Sequence, residues 1–495
     1  MGDADDRVLE FPAGFIWGTA TAAYQVEGAA NEGGRTPSIW DTFAHTPGKT
    51  LNGDTGDVAC DHFHRFRQDV ALMKELQLPA YRFSISWSRV LPNGRGEANP
   101  EGIAFYNCLL DALHEAGIQP LPTLYHWDLP QCLEDEYGGW LGREVVCDFE
   151  HFAATCFKAF GEKVRQWLTL NEPWCMACLG YANGEHAPGR NSAPDREPYL
   201  AAHHMILAHA AAYRRYHSEF AMDQGGQIGM TVNMDWKEPG SSALADVAAA
   251  QRAIDFQLGW FMDPVYCGDY PSSMKDRCGE RLPNFTDDER ALVFGSSDFF
   301  GLNHYSTDYV VDATKQPVES ESMWGRRQSG GYWDDQELNC NSDPAWEKTD
   351  MNWDIVPWGL ARLLLHIQKT YAPKGGIYIT ENGCGCDEIS LDDGLQDSRR
   401  VRYFQSYIAQ LHAALQDGVD VRGYFAWSLM DNFEWGLGYT KRFGIVRVDY
   451  MTQERKAKAS AKLMQEIAKT NSLRLPTSVL ESSRFSPMLL VDPAL

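Results

Sequence analysis

Two carboxylates are set apart by their neighbours. Glu172 follows Asn171 and precedes Pro173 in "TLNEP", and Glu381 lies in "ITENG", two residues before Gly383. Each closes a short apolar, β-branched run, "QWLTLNEP" and "GIYITENG", which reads as the end of a strand. A residue before proline is biased away from the right-handed helix, so Glu172 is expected to stay extended, with Pro173 aiming it. Gly383 is expected to permit a sharp exit after Glu381. Two carboxyl groups across a mouth lined with Trp and Asn suit glycosidic bond cleavage. One protonates the departing oxygen, and the other attacks the anomeric carbon or activates water. Taken singly, Glu172 reads equally well as a solvated strand-end carboxylate.

The elements that must position this pair are legible as an alternation. Eight strand-like runs recur: "FIWGTATA", "AYRFSISW", "QPLPTLYHW", "QWLTLNEP", "QIGMTVN", "DFFGLNHY", "GIYITENG" and "VRGYFAWSL". Between them lie helix-like segments. One spans Asp61 to Leu78, with Phe63, Phe66, Val70, Met73 and Leu76 near helical spacing. Another carries Phe149, Phe152, Ala153, Cys156, Phe157 and Phe160. Strands alternating with helices predict an α/β fold with a parallel sheet, and eight of them predict a single (β/α)8 TIM barrel over residues 1–470. Its long loops, at 28–60, 183–198, 306–353 and 432–446, would lie at the C-terminal face, where barrel chemistry is done. Residues 471–495 lack clear periodicity and are expected to pack on the barrel exterior or to be partly disordered. Arg82 sits inside the second run, where burial is expensive without a carboxylate, so an acidic partner in the barrel mouth is expected. A role capping the sheet or contacting a helix is the alternative.

Composition narrows the partners. Lys and Arg total 44 against 68 Asp and Glu, a formal charge of −24, which repels nucleic acid and anionic membrane surfaces. A neutral or cationic small molecule is expected, and the 16 Trp offer faces on which sugar rings can stack. No apolar run approaches the length of a membrane span. The start, "MGDADDRVLEFPAGF", is acidic where a signal peptide is basic, and the 12 Cys are scattered, so a reduced, cytoplasmic protein is expected. The "NFT" sequon at Asn284 matters only in a secretory pathway. Cys175/Cys178 and Cys384/Cys386 form close pairs, read as buried thiols in preference to a four-thiolate zinc site. His62 and His64 fit a helix start, and His203 and His204 are adjacent, so no metal and no cofactor is expected. Nucleotide-binding glycine motifs are missing from the strand-to-helix turns.

Taken together, "TLNEP", "ITENG", "YRFSISWSR", "YHWDLP", "AYQVEGA", "PSIWDTF" and "WSLMDNFEW" resemble glycoside hydrolase family 1, the family of β-glucosidases, from about Phe11 to about Lys469. The resemblance implies a (β/α)8 barrel and a retaining, two-step mechanism, with Glu172 as acid/base and Glu381 as nucleophile. It implies that Gln25, His126, Trp127, Asn171, Glu434 and Trp435 surround the non-reducing sugar, with Trp427 as its stacking platform. Arg82, Asn303 and Tyr305 would surround the nucleophile; where this chain has His304 the family often has another aromatic. Trp353 would be the platform for the leaving group, and Phe443 would close the sugar pocket. A lone His126 would read as a core imidazole, but its place at the end of the third run favours a ligand role.

Retention needs the carboxyl groups about 5–5.5 Å apart, so they couple electrostatically. Arg82 and the Tyr305 hydroxyl are expected to hold Glu381 ionised with a low pKa. Its charge and partial burial would then keep Glu172 protonated. The expected substrates are β-glycosides or oligosaccharides, with glucosides best and galactosides or fucosides also accepted. Glu434 beside a phosphate would be repulsive, which disfavours a 6-phospho-β-glycosidase despite the nearby Lys441 and Arg442. A transglycosidase on the same site and a non-catalytic sugar-binding protein are the remaining alternatives.

Overall fold

The computed structural model describes residues 7–314, 320–321, 327–328 and 331–475. Eight parallel strands close into a barrel: β1 (Ile16–Ala20), β2 (Ala80–Ser84), β3 (Gln119–Tyr125), β4 (Gln166–Asn171), β5 (Gln227–Asn233), β6 (Phe299–Asn303), β7 (Ile377–Asn382) and β8 (Val421–Trp427). They follow one another in chain order around the barrel, with β8 pairing β1 to close it. The eight strand-like runs and the barrel strands coincide. Almost every residue in them is buried, because helices cover the outside and packed side chains fill the inside.

Helices α1 (His62–Glu75), α2 (Pro100–Ala116), α3 (Glu144–Phe160), α4 (Glu197–Glu219), α5 (Trp358–Tyr371), α6 (Ser398–Gln416) and α7 (Ala459–Thr470) alternate with the strands. Between β5 and β6 four shorter helices lie within residues 244–293. The expected helix over 61–78 is α1, three residues shorter at its end because Leu76 leaves the helix and Gln77 turns left-handed at φ +52°. In α3 the stripe of Phe149, Phe152, Ala153, Cys156, Phe157 and Phe160 is wholly buried. Helix α2 shows sequence logic at both ends. Asn99 accepts from the Glu101 N–H, Pro100 takes the first turn, and Gly117 ends the helix at φ +74°.

The 306–353 stretch, read as an irregular loop, contains strands, and further short strands lie outside the expected loops or at their edge. Trp236–Pro239, Thr307–Asp312 and Leu338–Asn341 form a three-stranded sheet, with Thr307–Asp312 in the middle. Val446–Val448 pairs with Arg455–Ala457. Four of these strands have only three or four residues, too few for alternation to register, whereas Thr307–Asp312, "TDYVVD", has six but does not alternate. The segment after 471 opens with a strand, Ser472–Leu475, antiparallel to Arg7–Glu10, so the two ends of the described chain are hydrogen-bonded together. The remainder of the 471–495 stretch, and part of the 306–353 loop, fall outside the described residues.

Candidate active site

Strand ends β4 and β7 deliver the two carboxylates to one cleft of about 630 Å³. Both strands lose register where the carboxylates leave them: β4 against β5 between Leu168 and Asn171, and β7 against β6 between Ile379 and Glu381. Such irregularities re-aim side chains at the cost of a regular ladder.

Glu172 is not extended. It adopts the left-handed conformation, φ +43° and ψ +63°, and caps a short helix begun by Pro173. Proline disfavours only the right-handed helix for its predecessor, and here the sheet decides between the alternatives left open. The Glu172 N–H donates to Thr231 O at 2.9 Å, while its own carbonyl accepts from Cys175 N at 2.9 Å. Gly383 is likewise needed for a different reason from the one expected. A Cβ there would stand 1.9 Å from Trp427 O, so it is close packing against β8, not the freedom to turn, that requires glycine.

The two carboxyl groups are both buried, Glu172 at 7% and Glu381 at 3% exposure, yet their partners differ. Glu381 receives Arg82 Nη1 on Oε1 at 2.5 Å and the Tyr305 hydroxyl on Oε2 at 2.7 Å. Glu172 receives the Asn303 amide on Oε1 at 2.6 Å and the Cys175 thiol on Oε2 at 3.0 Å. Asn171 Oδ1 links the two sets, accepting from Arg82 at 2.6 Å and from Asn303 at 3.1 Å. Arg82 is also held by Thr123 Oγ1 and Thr380 O, so the guanidinium has little freedom to move.

Burial and then the neighbouring Glu381 charge push Glu172 up to about 8. Glu381 does not fall below the ordinary carboxylate value. Burial raises it, and Arg82 and Tyr305 pull it only part of the way back. Glu434 is pushed up to about 8 by burial and by both other carboxylates. His126 is held neutral by burial and by Arg82. Tyr305 is raised well above its usual value by burial and by Glu381, so it stays a donor.

His126, Trp127, Asn171, Asn303, Tyr305, Trp353, Trp427, Glu434, Trp435 and Phe443 line the cleft with the two carboxylates. His126 Nε2 meets the Asn171 amide at 3.0 Å, while its Nδ1 has no protein partner. Trp353, Tyr305 and Phe443 pack edge to face or tilted at 5.3–6.4 Å and make one wall. Gln25 is fully buried and is not among the lining residues, its Nε2 bound to Asn432 Oδ1 and Phe433 O and its Oε1 without a protein partner. Arg82 stands behind the lining, and His304 turns away to Met234 O.

Five lining residues are not among the site residues expected from the sequence: Cys175, which the sequence marks only as half of a thiol pair, Leu179, His186, Asn233 and Asp235. Asn233 closes β5, so the same strand-end rule that found Glu172 could have found it. Asp235 accepts from the Tyr305 and Ser306 N–H groups and so fixes the loop carrying Tyr305. The two close cysteine pairs do not assemble into a metal site. Cys175 serves Glu172, Cys384 and Cys386 face each other at 3.6 Å, and among the described residues no three potential ligands cluster. Lys441 and Arg442 are engaged elsewhere, Lys441 with Asp350 O and Arg442 with Asp431 and Val448 O.

Comparisons with known proteins agree over almost the whole length. The sequence model of glycosyl hydrolase family 1 matches residues 8–473. β-Glucosidase 42 of Arabidopsis thaliana is 49% identical over 451 residues, 89% of this chain and 90% of that one. A rice β-glucosidase mutant solved in a covalent complex with glucose is 46% identical, with a TM-score of 0.87 over 92% of this chain and 98% of that one. A β-glucosidase of the fungus Humicola insolens, solved with glucose, is 43% identical with a TM-score of 0.87, covering 93% and 98%.

Proposed function

The chain belongs to glycosyl hydrolase family 1 and is a β-glucosidase, and from that premise we propose how it works: it removes terminal non-reducing β-D-glucosyl residues with retention, Glu381 attacking as nucleophile and Glu172 serving as acid and then base. The observation that carries the assignment of roles is the unequal company of two buried carboxyls. The guanidinium of Arg82 and the hydroxyl of Tyr305 stabilise charge on Glu381, whereas Glu172 has only an amide and a thiol and holds its proton to about 8. At neutral pH the pair therefore presents one anion to attack carbon and one acid to protonate the leaving oxygen.

Loss of the Glu381 charge on glycosylation removes one of the causes that keep Glu172 protonated. Glu172 then becomes the base that activates water. His126, Asn171, Glu434 and Trp435, with Gln25 behind them, bind the sugar hydroxyls, and Trp427 offers its face. The Trp353 wall receives the aglycone. Glucosides are the preferred substrates, with β-galactosides and β-fucosides accepted, because discrimination rests on one epimeric hydroxyl near Glu434. The engagement of Lys441 and Arg442 speaks against a phosphorylated sugar. All twelve cysteines are free, which supports a reducing, cytoplasmic location that cell fractionation can test.

Azide rescue on activated aryl β-glucosides tests the roles. Glu172→Ala with azide should give the β-glycosyl azide and Glu381→Ala the α-azide. Full activity of either variant without azide would overturn the assignment.

A further inference from the structure

Three residues beyond Glu381 the chain reads Cys384-Gly385-Cys386. The two sulfurs lie 3.6 Å apart; Cys384 is fully buried and Cys386 is partly open to solvent. Arg400 donates from Nε to Cys384 O at 3.0 Å and so places a guanidinium beside the pair. The Cys384 S–H···S contact, with Arg400 behind it, brings Cys386 down to about 7, while Cys384 is raised. Cys386, partly open to solvent, is thus the more readily ionised sulfur and Cys384 lies buried against it, the arrangement of a nucleophile with a resolving partner.

The loop is also part of the substrate cleft's support. A Cβ on Gly385 would come within 3.3 Å of both Met351 and Phe443, so this peptide packs directly behind them. Asp350 N–H donates to Gly385 O at 3.3 Å, and Cys386 N–H donates to Arg442 O at 3.1 Å. Phe443 in turn packs on Trp353 at 5.9 Å. Bringing the sulfurs from 3.6 Å to a bond of about 2.05 Å must therefore move the backbone that backs the Trp353–Phe443 wall.

We propose that Cys384 and Cys386 form an oxidisable dithiol that a hydroperoxide converts to a disulfide, and that this closure weakens aglycone binding in the neighbouring cleft. The second half rests on the functional reading above. The Cys386 thiolate attacks the peroxide oxygen, the O–O bond breaks, and the departing oxygen takes up a proton. Cys386 is left as a sulfenic acid. The sulfur of Cys384 then attacks that sulfur, the S–S bond forms, and the S–O bond breaks. The hydroxyl leaves as water with the proton of Cys384. In sum, two thiols and one hydroperoxide give a disulfide, water and the alcohol, or a second water when the oxidant is hydrogen peroxide. Gly385 between the cysteines supplies the backbone freedom that so small a ring requires.

The test treats the full chain with hydrogen peroxide and digests it with trypsin. The peptide from Gly375 to Arg399 contains Cys384 and Cys386 and no other cysteine. It should lose the mass of two hydrogen atoms, and dithiothreitol should restore it. In parallel, KM for an aryl β-glucoside with a bulky aglycone should rise about threefold or more and return on reduction, with kcat changed less. Cys386→Ser should abolish both responses. An unchanged peptide, a disulfide that leaves KM unaltered, or an equal KM response in Cys386→Ser would each overturn the proposal. Inactivity of the reduced protein on glucosides would overturn the functional reading and the aglycone effect with it, whereas the mass readout decides the dithiol by itself.

Discussion

Glu381→Gln should lower the pKa of Glu172. Two causes raise that pKa to about 8: burial, which the substitution leaves in place, and the charge of Glu381, which it removes. For two unit charges at the separation of about 5.5 Å that retention requires, and an effective dielectric of about 20, the repulsion is about 3 kcal/mol, equivalent to about 2 in pKa. Glu172 should therefore titrate near 6 in the variant, still above its ordinary value because its burial remains. The assay is a carboxyl titration, by carbon NMR of labelled Glu or by infrared difference, with the Glu172→Gln double variant identifying the resonance or band. Wild-type kinetics supply the companion measurement. Activity on glucosides should be lost as pH rises through about 8, where the acid ionises, and also as pH falls through the raised pKa of Glu381, where the nucleophile is protonated. A Glu172 pKa that stays put or rises in Glu381→Gln would show that the charge of Glu381 is not what holds the proton on Glu172, and the mechanism would lose its switch between steps.

Arg82→Met leaves Glu381 buried without its cation, with neutral donors alone to stabilise its charge; kcat/KM should fall about 100- to 1,000-fold, and urea denaturation should show a stability loss of about 3–5 kcal/mol. Cys175→Ala removes the thiol that donates to ionised Glu172, so the alkaline limb of the pH–activity profile should move up by about half a pH unit. Glu172→Gln should stabilise the fold at alkaline pH. Because the folded pKa is raised, the carboxyl's contribution is intact below about 4.5 and is lost as pH rises to about 8, a loss the amide does not suffer. Calorimetry at pH 8 should give the variant a melting temperature about 2–4 °C above wild type, with no gain at pH 4.5.

How far the sequence could be read depended on what kind of constraint each residue obeys. The barrel strands are buried on both faces, so their apolar runs carry the signal even where the ends are polar, and Glu172 and Glu381 were found because they break such runs. Conformation at those ends was less accessible. Pro173 excludes one basin for Glu172 but does not choose among the rest; a hydrogen bond from Glu172 to Thr231, on another strand, makes that choice. The need for Gly383 comes from Trp427 O, far along the chain, and no local rule contains it. Gln25, Trp353 and Phe443 entered only through resemblance, since nothing in their own neighbourhoods points to a ligand. The upward shift of Glu381 is not legible in the sequence, because pairing with Arg82 can be inferred from residue types, whereas the depth of burial of the carboxyl is a property of the whole mouth.

That burial explains a feature of the site that the pair alone does not. Three carboxyls, Glu172, Glu381 and Glu434, are buried around one cleft, and among the described residues the guanidinium in contact with them, that of Arg82, is bound to Glu381. With Glu172 and Glu434 both raised to about 8, these three carboxyls together present one anion at neutral pH rather than three. Glu434 protonated can donate to a sugar hydroxyl as well as accept from one, so it binds without adding a second negative charge beside the nucleophile. In the proposed mechanism Glu381 is consumed in the glycosyl-enzyme, and both remaining carboxyls then lose the same repulsion. Ionisation then becomes easier at the two places where it helps, at Glu172 to activate water and at Glu434 to accept hydrogen bonds from the held sugar. In the proposed mechanism a single charge, placed by Arg82 and Tyr305 and removed by the first chemical step, times the protonation of both Glu172 and Glu434.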